Sequence, residues 1–274
     1  MRFNEAPLYQ VDAFTEVPFK GNPAAICMMP TDLEDSLYLS IAAEMNLSET
    51  AFLEQKDVEG EYELRWFTPK QEVPLCGHAT LATAHILFSQ VLKTEKITFH
   101  TKSGILHALK TPDGIQLDFP RNDPYPVEPL EDVIDALGLS EPIGFFYSNT
   151  NQKLLIEVEN EDIVVGLHPD FSALLKCRNP HGWFGVIVTS RSDHHDFVSR
   201  YFAPWRGVNE DPVTGSAHTV LAPYWAEKLG KTKMFAYQAS DRGGELRIEL
   251  LEKRVLITGR AVKVLEGKLR YPVT

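Results

Sequence analysis

The chain has 274 residues, 43% hydrophobic and 24% charged, with a formal net charge of −11. That length fits one large domain or two lobes, each able to bury its own core. The acidic balance, with no basic block, excludes a nucleic-acid backbone or an anionic membrane surface as an expected partner, and admits an anionic small molecule only where a local positive feature captures it.

Along the chain, Leu8–Phe14 reads as a strand rather than a signal peptide. Cys27 is the first of three cysteines, with Cys76 and Cys177. They are odd in number and form no Cys-x-x-Cys pair. Neither a disulfide framework nor a zinc site is expected, and a reducing, cytoplasmic compartment is. Thr31-x-x-Glu34 reads as a capping box opening a helix through Leu33, Leu37, Ile41 and Met45. Asn46 is its expected left-handed terminator. Leu47–Leu53 then reads as a strand, which puts Glu49 at a helix-to-strand junction where a side chain can face a cleft. No apolar run reaches 18 residues, so no membrane-spanning helix is expected.

An internal repeat follows. Arg65-Trp66-Phe67-Thr68-Pro69 precedes Cys76-Gly77-His78-Ala79. Arg200-Tyr201-Phe202-Ala203-Pro204 precedes Thr214-Gly215-Ser216-Ala217-His218. Each copy is Arg-aromatic-Phe-x-Pro, a polar loop, then Gly-polar-Ala opening an apolar segment. Alternating segments flank both: Lys96–His100 and Gly114–Phe119 after the first, Lys233–Tyr237 and Glu245–Leu250 after the second. The apolar segments read as buried helices wrapped by sheets, and Pro223 is expected to kink the second. Arg121–Pro129, with three prolines, is the expected linker. The resulting boundaries are 1–122 for the first lobe and 123–274 for the second, whose last strand is allowed to return to the first.

The first turn of a helix carries unpaired N–H groups and partial positive charge. Gly77 and Gly215 let a ligand approach it. Two such starts facing one cleft would hold a carboxylate or a forming enolate. The alternative is that both glycines only permit close packing. Glu49 is a candidate general acid/base, against the alternative of a solvated glutamate at a strand start. His78 could relay a proton, or be an exposed first-turn residue. Asp211 could do the same, or cap its helix. Cys76 at a helix start raises a thiolate base, but its repeat partner is Thr214, so a two-thiol mechanism is disfavoured. His194-His195 lacks a spaced partner and reads as surface rather than metal site. No Gly-x-Gly-x-x-Gly, P-loop or His-Glu-x-x-His motif occurs.

Together Val11-Asp12-Ala13-Phe14-Thr15, Gly21-Asn22-Pro23-Ala24-Ala25, Ser48-Glu49-Thr50-Ala51-Phe52, Arg65–Pro69, Glu72–Thr80 and Glu210–His218 resemble the phenazine-biosynthesis PhzF-like family, related in fold to diaminopimelate epimerase. The resemblance implies an α+β fold of two pseudo-symmetric lobes, each a β-barrel-like sheet around a central helix, with the active site between them. It implies a cofactor-independent isomerase that moves a proton, commonly as a homodimer; the paired helix starts make a small, anionic molecule the expected substrate, and no metal is expected. By motif position Glu49 is the implied acid/base. His78 and Asp211 are the other catalytic candidates, and Ser48, Gly77, Gly215 and Ser216 are substrate-contacting. Gln238-Ala239 departs from the family's frequent Gln-Gly. Three rivals remain at this stage: a racemase or epimerase using Cys76, a non-catalytic small-acid binder, and a protein scaffold.

Overall fold

The period-two segments become strands. In a computed structural model, which describes residues 3–92 and 94–272, the elements run β1 (Phe3–Ala13), β2 (Asn22–Met29), α1 (Asp35–Met45), β3 (Glu49–Gln55), β4 (Glu61–Phe67), β5 (Glu72–Val73), α2 (Gly77–Ile86) with a π-helical turn over Leu87–Val91, β6 (Lys96–Thr101), β7 (Gly104–Thr111) and β8 (Gly114–Pro120). They continue with β9 (Tyr125–Pro126), α3 (Glu131–Leu137), β10 (Gly144–Ser148), β11 (Lys153–Glu157), α4 (Glu161–Val165), α5 (Phe171–Leu174), β12 (Gly185–Arg191), β13 (Phe197–Ala203), β14 (Val208–Glu210), α6 (Gly215–Leu229), β15 (Lys233–Gln238), β16 (Gly244–Leu250), β17 (Arg254–Gly259) and β18 (Ala261–Pro272). The chain forms two compact units. One comprises residues up to Asp118 together with those from Thr258 onward; the other is Phe119–Ile257. The first crossing point falls slightly ahead of the proline-rich stretch, part of which pairs as β9 with β10.

The two units share one strand order, and the fold is α+β. In the first, β1 is antiparallel to β2, β2 parallel to β3, and β3 antiparallel to β4; β4 then pairs antiparallel with β5 and parallel with β6, which turns into β7. In the second, β10 is antiparallel to β11, β11 parallel to β12, and β12 antiparallel to β13; β13 pairs antiparallel with β14 and parallel with β15, which turns into β16. The strand returning at the C-terminus, β18, pairs with β1 along its whole length, Phe3 opposite Pro272 and Ala13 opposite Ala261.

Each unit keeps an apolar helix on its inner sheet face. α2 packs on β1, β2, β3, β7 and β18, and Ala79, Leu81, Ala82, Ala84 and Ile86 are all buried. The alanines let backbone approach backbone, as a helix buried on every side requires. On the outer face, Tyr38, Ile41 and Ala42 of α1 bury against Cys27, Met29, Phe52 and Phe67. Burial there pushes the Cys27 thiol up to about 12, which makes it an inert packing residue. In the second unit the outer core is built by α3, α4 and α5 with β10–β13, around Trp183.

Both copies of the repeated arginine fork onto a glutamate of the short following strand. Arg65 Nε and Nη2 reach Glu72 at 2.9 Å each. Arg200 Nε and Nη2 reach Glu210 at 2.7 and 2.8 Å, and its Nη1 donates to the Leu167 carbonyl at 2.7 Å. The bidentate geometry pins the hairpin whose loop delivers each inner helix. The Arg65 guanidinium, helped by Lys102, holds the Glu72 carboxyl below the usual carboxylate range.

The structure corrects the start of α1. The helix begins at Asp35, the N-cap is Glu34, and no side chain caps it. Thr31 and Glu34 therefore form no capping box. Tyr38 draws the preceding turn inward instead: its hydroxyl donates to Asp32 at 2.9 Å and accepts from the Leu33 N–H at 3.1 Å. Arg65 reaches Asp35 at 2.5 Å. A buried ring and a cross-strand cation thus displace the local capping pattern. At the other end Asn46 is left-handed (φ 51°) and terminates α1, as the sequence predicts.

α6 runs unbroken through Pro223. Proline has no N–H for the carbonyl four residues earlier, here that of Thr219. The Asn122 N–H donates to it instead at 3.3 Å, and Asn122 Nδ2 donates to the Thr219 hydroxyl at 2.8 Å. Asn122→Ala keeps the backbone donor and removes only the Nδ2 bonds to the Thr219 hydroxyl, which Asn151 Nδ2 still reaches at 3.1 Å, and to the Pro120 carbonyl; it is expected to cost about 0.5–1.5 kcal/mol, read as a lowered urea midpoint at unchanged slope. A midpoint equal to wild type would remove the Asn122 side chain, though not its backbone N–H, from this role.

Candidate active site

The first unit gathers three titratable side chains at the start of α2. The left-handed turn at Asn46 aims the chain into β3 so that Glu49 is its first residue, paired with Ala24 of the parallel β2. The carboxylate is one-fifth exposed, and its Oε2 lies 3.4 Å from His78 Nε2. His78, the second residue of α2, is buried rather than exposed. Its other nitrogen, Nδ1, lies 3.5 Å from Cys76 Sγ. Burial pushes the His78 imidazole down to about 4, so it is neutral at pH 7.

A neutral ring has one N–H and one lone pair. With a carboxylate facing Nε2, the favoured arrangement places the N–H there and turns the Nδ1 lone pair to the Cys76 S–H. At 3.4 Å the Glu49 contact exceeds the usual hydrogen-bond length, and Nε2 has no hydrogen-bond partner among the described residues. Gly77 opens the helix and Ser48 lies half-buried just before β3.

One donor atom each from Glu49, Cys76 and His78 falls within 4.8 Å of the others. Carboxylate, thiolate and imidazole are ligands a zinc ion accepts. Binding one ion would take a single His78 nitrogen away from the partner it now faces.

The second unit builds the matching helix start with different chemistry. Thr214 is the N-cap of α6 and Gly215 its first residue. Asp211 is therefore not the N-cap residue; its carboxylate accepts a hydrogen bond from the Thr214 hydroxyl. Gln238 braces the loop: its Oε1 accepts from the Thr214 N–H at 2.8 Å, and its Nε2 donates to the Asp211 carbonyl at 2.7 Å. The Ser216 carbonyl accepts from Asn151 Nδ2 at 2.6 Å.

One device recurs in both helices. The carbonyl before the helix is bonded by a side chain four residues on: Thr80 Oγ1 to Cys76 at 2.6 Å, His218 Nδ1 to Thr214 at 2.9 Å. His218 is fully buried and stacked on Phe197, and burial pushes it down to about 4. His195 stacks on Tyr237 and lies 3.4 Å from Glu245, while His194 is exposed.

The structure thus brings Glu49, Cys76 and His78 together in one unit, and Asp211, Thr214, Gly215 and Ser216 in the other. Sequence reasoning gave no role to Lys153 or to the Tyr201 hydroxyl that its ammonium meets. The only signal was a lysine opening an otherwise apolar strand, Lys153-Leu154-Leu155-Ile156.

The sequence profile of the family described as phenazine biosynthesis-like protein (PhzC-PhzF) matches residues 11–267. An uncharacterized isomerase of Halalkalibacterium halodurans is 50% identical over 96% of this chain and 98% of its own. A human phenazine biosynthesis-like domain-containing protein is 45% identical, with 96% of this chain and 98% of its own covered. Among solved structures, a PhzF-family protein of Enterococcus faecalis superposes with a TM-score of 0.91 at 43% identity, covering 97% of this chain and 99% of its own.

Proposed function

The chain belongs to the phenazine biosynthesis-like (PhzC-PhzF) family, and on that premise we propose that this isomerase moves a proton within a small carboxylate-bearing molecule, with Glu49 as its acid/base. The observation that carries the reading is the Glu49 carboxylate set against a buried, neutral histidine at the first turn of an apolar helix. Glu49 takes a proton from an activated carbon and returns it to another carbon of the same molecule. The step is redox-neutral: one C–H bond breaks, one forms, and the double bond between them shifts. The anion formed in between is stabilised by the unpaired N–H groups at the start of α2. His78 orients the carboxylate without adding a full charge, and Asp211 is assigned to a second proton or to polarising the substrate. Ser48, Gly77, Gly215 and Ser216 are assigned to substrate contact.

The test is incubation with a panel of small unsaturated acids in D₂O, followed by NMR. Conversion of one acid to its double-bond isomer is the expected result, with deuterium at the receiving carbon to the extent that the Glu49 carboxyl exchanges its proton with solvent before returning it. A panel in which no acid is converted and none exchanges would sink the reading. The contact between Cys76 and His78 supports one rival, a thiolate base, and the Cys76→Ala variant separates the two.

A further inference from the structure

The shared strand order matches positions of one unit to positions of the other. In the first unit Glu49 faces Ala24 across the parallel β2–β3 pairing, and the next residue, Thr50, pairs with Phe67. In the second, Gly185 faces Lys153 across β11–β12, and Val186 pairs with Phe202. The place of the carboxylate is taken by glycine, and its parallel partner is a lysine instead of an alanine. A Cβ at position 185 would lie 2.1 Å from the Tyr201 hydroxyl and 2.4 Å from the ring. The second unit therefore has no room for a copy of Glu49 while Tyr201 holds its place.

Lys153 is 7% exposed. Its Nζ donates to the Tyr201 hydroxyl at 3.1 Å and sits 4.7 Å from the centroid of that ring. An ammonium has three donors, and among the described residues the tyrosine hydroxyl is the hydrogen-bond acceptor of one. A buried charge so thinly matched is costly: burial pushes the group down to about 8, against the pull of Asp211, and Arg206 adds to the depression. The Arg206 guanidinium itself lies over the Phe184 ring.

Two contacts fix where this ammonium sits along α6. Asn151, just before β11, bonds the Ser216 carbonyl, and Glu157 at the far end of β11 accepts from the Tyr224 hydroxyl at 2.6 Å. Lys153 and Glu157 share a strand face, about 13 Å apart, and Gly215 to Tyr224 spans about the same along a helix. Lys153 is thus level with the first turn of α6, within electrostatic reach of Asp211.

We propose that Lys153 is an anion-binding residue of the second unit, its ammonium holding an anionic group of the substrate, a carboxylate or like oxyanion, together with the N–H groups that open α6. The Tyr201 hydroxyl sets its direction, and Gly185 provides the space. The proposal rests on the proton-transfer reading only for the identity of the molecule carrying the anion.

Sulfate and benzoate serve as probes, titrated calorimetrically against the full chain at pH 7. Wild type is expected to saturate with at least one. Lys153→Met should bind it roughly 30-fold more weakly or worse, as for truncating one partner of a buried charge pair, and Lys153→Arg should recover part of the loss. The readout is binding and not turnover, so a chain that binds the probe but exchanges no acid in D₂O separates failure of the proton-transfer reading from failure of this one, and the exposed His194→Ala, which should bind as wild type does, is the control. Should Lys153→Met not fold, the ammonium signal of ¹⁵N-lysine-labelled wild type is followed instead, and bound probe should raise its titration midpoint. Wild type binding neither probe, Lys153→Met binding as tightly as wild type, or a midpoint unmoved at saturation overturns the proposal.

Discussion

Glu49→Gln is expected to lower turnover by about 10²–10⁴-fold, the range general acid–base catalysis supplies, with little change in thermal midpoint. Glutamine keeps the volume and one oxygen beside His78 but accepts no proton at neutral pH. The loss should fall on kcat, because the missing interaction is made in the transition state. His78 offers no rescue as a base. A ring held down to about 4 by burial is poorly disposed to accept and keep a proton in the same apolar setting. Cys76→Ala is the paired control. Its thiol faces His78 Nδ1 and not the Nε2 that Glu49 approaches, so the variant should keep turnover within roughly tenfold of wild type, a change under about 1.4 kcal/mol. The measurement is initial rate against substrate concentration for whichever acid exchanges in D₂O. A fully active, folded Glu49→Gln removes Glu49 from the chemistry, and a collapse confined to Cys76→Ala transfers the role to the thiol.

Acid should unfold this protein through two buried rings. His78 and His218 both sit near 4 in the folded chain because burial disfavours the charged imidazole; in the unfolded chain they return to about 6.5. Between those values the unfolded state binds more protons, so stability falls as pH falls. The loss begins near pH 6.5, is complete below about pH 4, and amounts to roughly 3 kcal/mol for each ring. Above pH 7 neither contributes. Urea midpoints measured from pH 7.5 to 4.5 should decline, and His78→Gln or His218→Gln should each flatten the decline. Side-chain ¹⁵N shifts should show both rings neutral at pH 5.5. A ring already charged there, or an acid limb unchanged by either variant, would refute this account. The carboxylate of Glu72, held low by Arg65, adds its own loss only at more acid pH.

The elements that the sequence made legible are those in which one local rule acts without competition. Alternation is enough for β4, β8, β15 and β16, which bury one face, whereas β11, β12 and β13 are buried on both faces and carry no such pattern. The all-round apolar character of Gly77–Ile86 and Val220–Trp225 marked inner helices, and Asn46 marked its own left-handed turn. The capping box failed because Tyr38 and Arg65, distant or inward-facing, outbid a local pattern. The arginine forks were visible as half of a pair: the repeat displayed Arg65 and Arg200, but nothing local identified Glu72 and Glu210 as their acceptors. In the site, the glycines and Glu49 stood out by position. The burial of His78, which decides its protonation state, is a property of the surrounding sheet and has no signature in the residues beside it. Lys153 was hidden for the same reason: its meaning comes from a register partner, Gly185, far along the chain.

The pairing of β18 with β1 has a consequence for biosynthesis. The second unit is a single continuous stretch and is complete when the ribosome has extruded it. The first is sewn shut by the final strand, whose Pro272 lies opposite Phe3. Its N-terminal hairpin must persist with one edge unmatched until Ala261–Pro272 has been made, and an unpaired strand edge invites association with other chains. Truncation by a dozen residues at the C-terminus would leave the later-encoded half intact and the earlier-encoded half unfinished.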